Sequence, residues 1–303
     1  YATDKDISGN IVRNQDLNVK NSGNITIGNG SAAIYVTQNS ANKATVTNTG
    51  NITVGDSVLN PDGTVKNPAV AMFIQNGTLT TTGNVTVGNR AFAFYGKDAT
   101  INVNGGNYNF ANSGSLGYLE NSTLNYNNTG TLATSSEPLL FIDNSKAILN
   151  GNDIFVSANG VGAYMTGKSE FTGWNKITLG TSSTGIYVDG ATAKVNGNSI
   201  VSTNNKAKGI VALNSNVTND AKISLSGDDS IGIFSRNTSG SAKQIVSNQS
   251  FDISGKRSIG IYLEGTDEQN VINNGTMNIA ATTDSNKNNS TVGIYAKGGN
   301  VNL

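Results

Sequence analysis

The side chains of this chain that could do chemistry are its carboxylates, its lysines and four dispersed arginines, Arg13, Arg90, Arg236 and Arg257. There is no histidine to act as a base at neutral pH, and no cysteine to supply a thiolate, a disulfide or a soft metal site. Carboxylates and cations polarise a substrate only where several converge. No cluster of three acidic residues, serine-nucleophile motif, phosphate loop or metal-ligand spacing rises from the sequence. Glu120 and Asp143 fall at equivalent places in neighbouring repeats; they are either a weak cation site or a pair of solvated carboxylates. "GDDSIGI" (227–233) and "GKRSIGI" (255–261) superimpose, which sets Asp228 beside Lys256 and Asp229 beside Arg257, with Lys206 one repeat earlier. Such an exposed charge ladder fixes register more than it stabilises. Catalysis and a cofactor are both unexpected from this inventory, so the reading turns to binding and to what positions the surface.

Twenty basic residues balance twenty acidic ones, and no basic stripe follows a phosphate backbone, so nucleic acid is not an expected partner. No apolar run of about 20 residues and no charged-then-apolar leader is present, so any signal or anchor is expected outside these residues.

What positions the surface is a repeat. Starts related to "GNITIG" at Gly23 occur at Gly50, Gly83, Gly106, Gly130, Asn152, Asn175, Asn198, Ala221, Gln249 and Gly275, spaced 27, 33, 23, 24, 22, 23, 23, 23, 28 and 26 residues apart. The third position of each unit is apolar throughout, from Ile25 through Tyr108, Leu132 and Phe251 to Met277, and polar residues alternate with it. That is strand periodicity. A second strand resembles "STGIYVDG" (183–190), and a third resembles "ATVTN" (44–48). Units of this length do not carry the leucine pattern of leucine-rich repeats and are too short for propeller blades. The remaining class is all-β: a single-stranded parallel β-helix, or β-solenoid, of about eleven coils of 22–33 residues. Stacked at about 4.8 Å per coil it would extend roughly 50 Å. Five or six buried side chains per coil, at about 1.5–3 kcal/mol each, fall short of about 1–2 kcal/mol of backbone entropy per residue. A lone coil therefore cannot fold, and stacking drives like residues into columns.

Aligned on the small residue before "IY", the strands give a small column of Ala33, Ala71, Ala93, Gly117, Leu140, Ala163, Gly185, Gly209, Gly232, Gly260 and Gly293. An apolar column follows: Ile34, Met72, Phe94, Tyr118, Phe141, Tyr164, Ile186, Ile210, Ile233, Ile261 and Ile294. The apolar column is expected inside. Strand alternation then places the small column outside, together with Tyr35, Phe73, Tyr95, Leu119, Ile142, Met165, Tyr187, Val211, Phe234, Tyr262 and Tyr295. This outward aromatic ladder either stabilises cross-strand pairs or forms a platform for sugar rings or a partner protein. Trp174, the single tryptophan, reads as packing or recognition. Asn21, Asn48, Asn104, Asn128, Asn150, Asn196, Asn219 and Asn273 precede the unit starts and read as one turn ladder, suited to left-handed backbone and amide stacking. The N-x-S/T matches, such as that at Asn24, follow from the same composition.

Insertions are expected at coil corners: 57–69, 37–43, 237–243, 264–270 and 282–291. The first, stiffened by Pro61 and Pro68, is the leading recognition loop. The candidate ligand-binding residues are therefore Asn60, Asp62 and Lys66 on this insertion and Tyr35, Phe73 and Tyr95 on the ladder.

Pectin lyases and polygalacturonases share such a solenoid but need Asp, Arg and Lys, or Asp with His, gathered across coils, and that constellation is missing. Over nearly the whole chain, the succession of "GNITVG", "GIYV" and Asn-Gly turns resembles passenger domains of type Va autotransporters. Its low-proline, Asn-rich, Lys-containing style is most similar to the large fusobacterial outer-membrane adhesins of the RadD-like family. The resemblance implies a right-handed β-helix exported through a C-terminal membrane barrel lying outside this fragment. It also implies display on the bacterial surface and binding to a surface protein or glycan on another bacterium or a host cell. Residues 1–303 are then expected to be one continuous segment of a longer passenger. A structural stalk and a polysaccharide-degrading enzyme remain the alternatives.

Overall fold

The computed structural model of the protein describes residues 2–3, 15–39, 41–134, 136–280, 289–298 and 301–302. Arg13, Ser40 within the 37–43 insertion and most of the 282–291 insertion (282–288) lie outside these residues. The described chain is all-β, a parallel β-solenoid of about eleven turns. Its residues group into two compact units, 1–130 with 139–150, and 131–138 with 151–303.

In the first unit the turns supply strands to three parallel sheets. The ladder sheet runs Ala2–Thr3, Ala32–Thr37, Val70–Gln75, Phe92–Lys97, Ser115–Glu120, Leu140–Asp143. The second sheet runs Leu17–Asn21, Ala44–Asn48, Gly77–Thr81, Thr100–Val103, Thr123–Tyr126, Lys146–Leu149, and the third Ile25–Ile27, Ile52–Val54, Val85–Val87, Tyr108–Phe110. In the second unit the ladder sheet comprises Val161–Thr166, Thr184–Asp189, Lys208–Leu213, Ile231–Asn237, Ile259–Gly265 and Val292–Lys297. Its third sheet comprises Thr131–Thr134, Asp153–Val156, Lys176–Leu179, Ser199–Ser202, Lys222–Leu225, Phe251–Ile253 and Met277–Ile279.

The apolar positions of the third sheet stack as the repeat requires: Ile25, Ile52, Val85 and Tyr108 are in register in the first unit, and Leu132, Ile154, Ile177, Ile200, Ile223, Phe251 and Met277 in the second. Ile233 and Ile261 likewise occupy adjacent layers and are fully buried. Burial alternates along the second and third sheets, so each strand covers a core with one face and leaves the other to solvent.

The ladder strands break this alternation, and three sequence expectations fail there. The small column faces the core, not the solvent: Ala71, Ala93 and Ala163 have no exposed surface, and a Cβ on Gly232 would lie 2.5 Å from the Gly260 carbonyl oxygen and 2.9 Å from the Phe251 ring. Two successive residues thus point inward, and the strand turns a corner between them. Second, Tyr118, Phe141 and Tyr164, expected inside, point outward, in register with Tyr95 and Tyr187. Third, Leu119, Ile142 and Met165, expected outside, are buried to within 1 %. In these three coils the corner residue is Leu116, Leu139 or Gly162, one place earlier than the alignment on small residues puts it.

The asparagines form several ladders, and none of the eight named above is left-handed. In the first unit Asn21 donates to Asn48 at 2.7 Å, and buried Asn48 donates to Thr81 at 3.1 Å and to the Gly50 carbonyl at 2.9 Å. Asn104, Asn127 and Asn150 make a separate outer ladder. The left-handed residues other than glycine lie at two other corners. The one after the ladder strand holds Asn76, Asp98, Asn121, Asn144, Gly167, Gly190 and Asn214; the one before it includes Gly30, Arg90, Lys206, Asp229 and Arg257. Only Gly, Asn and Asp fill the first corner, the residues that tolerate this conformation most readily.

Candidate binding face

With the register corrected, the outward column of the ladder sheet is aromatic in every first-unit turn from Tyr35 through Phe73, Tyr95 and Tyr118 to Phe141. In the second unit it reads Tyr164, Tyr187, Val211, Phe234, Tyr262 and Tyr295. The rings pack on one another. Tyr35 and Phe73 stack at 4.5 Å, Phe73 and Tyr95 sit at 5.0 Å, and Tyr95 and Tyr118 at 5.0 Å. Tyr164 and Tyr187, Phe234 and Tyr262, and Tyr262 and Tyr295 stack at 5.3 Å. A ring stacked on both sides presents its edge to solvent and keeps its faces for its neighbours.

Two residues further along each strand runs a polar column: Thr37, Gln75, Lys97, Glu120 and Asp143 in the first unit, and Asp189, Leu213, Arg236, Glu264 and Lys297 in the second. Its acids hold the tyrosine hydroxyls. Tyr164 donates to Asp189 at 3.0 Å and Tyr262 to Glu264 at 3.3 Å. Burial first, then the bond to Asp189, pushes the Tyr164 hydroxyl up to about 12. Tyr95 is raised by burial and then by the charge of Glu120. Glu120 also receives Lys97 at 2.6 Å, so the Glu120–Asp143 pair is part of a charge ladder. Among the described residues no group of three or more His, Cys, Asp or Glu side chains could hold a metal ion.

The 57–69 insertion is a β-hairpin in which Val58–Leu59 pairs antiparallel with Val65–Asn67. Asn-Pro-Asp-Gly makes the turn, with Gly63 left-handed at φ 84°. Two candidate side chains serve that turn: Asn60 donates to the Thr64 hydroxyl at 3.0 Å, and Asp62 accepts both the Thr64 hydroxyl at 2.6 Å and its amide at 2.9 Å. These bonds hold the Asp62 carboxyl below the usual carboxylate range. Ser57 is buried and bridges the base, donating to the Arg90 carbonyl at 2.6 Å and accepting the Ala69 amide at 2.9 Å. Arg90 reaches back to the Gly63 carbonyl, and a Cβ on Gly30 would strike Val58 at 2.7 Å, so the hairpin lies against turns on either side of its own. Lys66 is exposed, as are Leu59 and Val65. The six candidate residues thus fall into two groups: Tyr35, Phe73 and Tyr95 stacked together, and Asn60, Asp62 and Lys66 on the hairpin.

Elsewhere the charge corner forms as expected. Arg257 grips Asp229 through two bonds of 2.6 and 2.8 Å, and Asp228 accepts the backbone amide of Lys256 at 2.9 Å. Trp174 is packing: it is 1 % exposed and lies 6.0 Å from Phe171, and a Cβ on Gly197 would enter its ring. The 237–243 and 264–270 insertions bind each other, with Asn237 donating to the Glu268 carbonyl at 2.7 Å and the Gly240 amide to Asp267 at 2.7 Å.

Sequence reasoning missed the acids that hold the tyrosine hydroxyls; it placed Val211 correctly in the outward column, but Leu119, Ile142 and Met165, wrongly set beside it, hid that Val211 interrupts the ladder. Both were visible as columns once the rings themselves served as the alignment anchor. Compared with protein-family models, with curated proteins and with solved structures, the chain shows no match.

Proposed function

We propose that this chain is a segment of a surface-displayed adhesin, an autotransporter passenger of the fusobacterial outer-membrane type, whose C-terminal membrane barrel lies beyond these residues. It attaches bacteria to other bacteria or to host cells without catalysis, through a surface protein or glycan and not through nucleic acid. The observation that carries this reading is the outer face of the ladder sheet: half-exposed aromatic rings beside a largely polar column that holds charges of both signs, repeated at the coil spacing. Such a face makes many weak contacts, and repetition turns them into avidity. The exposed hairpin, with Leu59 and Val65 each 42 % accessible, adds a second contact surface.

A stalk reading has its own support, because the rings stack on one another and several hydroxyls are bonded within the sheet. One experiment separates the two. Beads coated with the folded chain are scored for attachment to bacterial and epithelial cells, beside beads bearing Phe73→Ser with Tyr95→Ser or a hairpin in which Leu59 and Val65 are serine. An adhesin attaches, and at least one altered face attaches several-fold less. Beads that stay free of cells as often as bare ones establish the stalk.

A further inference from the structure

We propose that the ladder sheet of the second unit carries a slot for a single pyranose ring at Val211, where the sugar takes the place of a missing aromatic rung. This rests on the adhesive reading above and assigns its ligand class.

Stacking decides where a sugar can bind. A pyranose packs its C–H face against an aromatic face, and in an unbroken ladder those faces are already covered. At Val211 they are not. Tyr187 and Phe234 each register with Val211, one turn to either side, and each stacks on a ring only on its far side, Tyr187 on Tyr164 and Phe234 on Tyr262. Two strand spacings separate their attachment points, about 9.6 Å. A ring midway would lie about 4.8 Å from each, within the 4.5–5.8 Å range of the stacked pairs. Val211 is 6 % exposed and forms a low apolar floor beneath the two rings.

The polar column is interrupted at the same turn. Tyr164 gives its hydroxyl to Asp189 on the following strand; the residue in that relation to Tyr187 is Leu213, which accepts nothing. The Tyr187 hydroxyl therefore lacks the partner its neighbour has. Asp189 and Arg236 sit on either side of Leu213, a carboxylate and a guanidinium on opposite lips. Both act on Tyr187: burial first and then Asp189 raise its hydroxyl's pKa, while Arg236 opposes them. Arg236 is held only loosely, 3.9 Å from Glu264, with its side chain half exposed. An acceptor, a donor and a free hydroxyl around two open ring faces match a ligand with apolar faces and hydroxyls at its rim. A hydrocarbon would leave the charged lips unused.

The test is titration of the whole chain, by saturation-transfer NMR and calorimetry, with the methyl glycosides of glucose, galactose and mannose and with short oligosaccharides of each. Wild type binds at least one, and the sugar ring protons receive saturation from tyrosine and phenylalanine. Val211→Tyr fills the slot and lowers affinity at least tenfold while thermal unfolding is unchanged or raised, which shows the fold intact. Asp189→Asn weakens binding several-fold. Binding that survives Val211→Tyr overturns the slot, as does a wild-type protein that binds none of these sugars. Attachment to cells that disappears on protease treatment of the cells, without any glycoside binding, overturns the slot and leaves the adhesive reading standing. Glycoside binding without cell attachment does the reverse.

Discussion

The two units build the same sheet with opposite solutions. The first has an unbroken aromatic ladder outside and Ala33, Ala71, Ala93, Leu116 and Leu139 at the inward corner behind it. The second has a ladder interrupted at Val211 and glycine at every corner: Gly162, Gly185, Gly209, Gly232, Gly260 and Gly293. The corner explains itself by volume. In the second unit the missing side chain leaves room first for the next turn's backbone and then for large residues from the third sheet: a Cβ on Gly209, Gly232 or Gly260 would lie 2.5–2.6 Å from the carbonyl oxygen of the following corner glycine, and would meet Ile223 at 3.3 Å, Phe251 at 2.9 Å and the Met277 sulfur at 3.0 Å respectively. None of these three glycines has a positive φ, so space, not backbone conformation, excludes a side chain. The outer column and the corner therefore answer to different constraints, core volume on one side and exposed contact on the other.

The largest effect should come from the corner. Gly232→Val forces a branched side chain against the Gly260 carbonyl and the Phe251 ring, and overpacking of this kind costs about 3 kcal/mol. Ala93→Gly in the first unit, which empties the same position, should cost only about 1 kcal/mol. Urea unfolding midpoints check both. If the two substitutions prove equally mild, the corners do not differ in packing and the contrast between the units is lost.

Next comes the buried amide ladder. Asn48 is fully buried and makes bonds to Asn21, Thr81 and Gly50, so Asn48→Ala strands their polar atoms and should cost about 2 kcal/mol. Asn219 is its counterpart in the second unit, donating to the Ala221 carbonyl at 2.9 Å and to Ser247 at 3.2 Å. Asn219→Ala should cost a similar amount, since this column is the one on which the units agree. A difference of more than about 1 kcal/mol, large against the usual worth of a hydrogen bond, would extend the contrast to the second sheet.

The ladder itself gives effects of opposite sign. Phe73→Ala removes ring contacts to Tyr35 and Tyr95, and at about 0.5–1.5 kcal/mol per aromatic pair the loss should be near 2 kcal/mol. Val211→Tyr completes the broken ladder and should raise stability by about 1 kcal/mol. Calorimetric melting of each variant beside wild type measures both. A melting point that falls for Val211→Tyr would mean that the interruption is a packing requirement and not an open rung.

These contrasts show where the sequence is informative. The coil length, the parallel stacking, the apolar columns of the third sheet and the Asp229–Arg257 pairing could all be read from spacing, because a solenoid repeats the same environment every turn. The ladder register in three coils could not be read by aligning on the small residue. "SLGYLE", "PLLFID" and "VGAYMT" each place a small or apolar residue at two successive positions, and only the strand corner decides which is which. Aligning on the aromatic residue and the acid two places later gives the right register in two of them, since Tyr118 with Glu120 and Phe141 with Asp143 keep the spacing of Tyr187 with Asp189; in the third, Tyr164 is followed by Thr166 and the ring alone has to serve as the anchor. The asparagines were misassigned for another reason. Asn serves equally well in a buried amide ladder, an exposed one and a left-handed corner, so its identity alone does not say which. The hairpin turn was legible as Asn-Pro-Asp-Gly, but its use of Asn60 and Asp62 for internal bonds depends on the position of Thr64.

The smallest expected effect lies at the corners where arginine stands in left-handed backbone. Arg90 holds the hairpin in the first unit, while Arg257 holds Asp229 in the second. The Arg257 bonds keep the Asp229 carboxyl below the usual carboxylate range. A carboxylate so depressed contributes stability that is present above its unfolded pKa, about 3.9, and is lost as pH falls through its lower folded value. Both partners are more than a third exposed, so water and salt screen the interaction. Asp229→Asn should therefore leave the unfolding midpoint at pH 7 almost unchanged, with a slight loss that disappears at pH 2 and in 1 M salt. Arg90→Ala should instead loosen the hairpin at every pH, read as faster amide exchange at residues 58–67, because its bond is to a carbonyl that does not titrate. Equal acid sensitivity of the two variants would show that both corners are held by charge, and the distinction between the units would then stop at the ladder sheet.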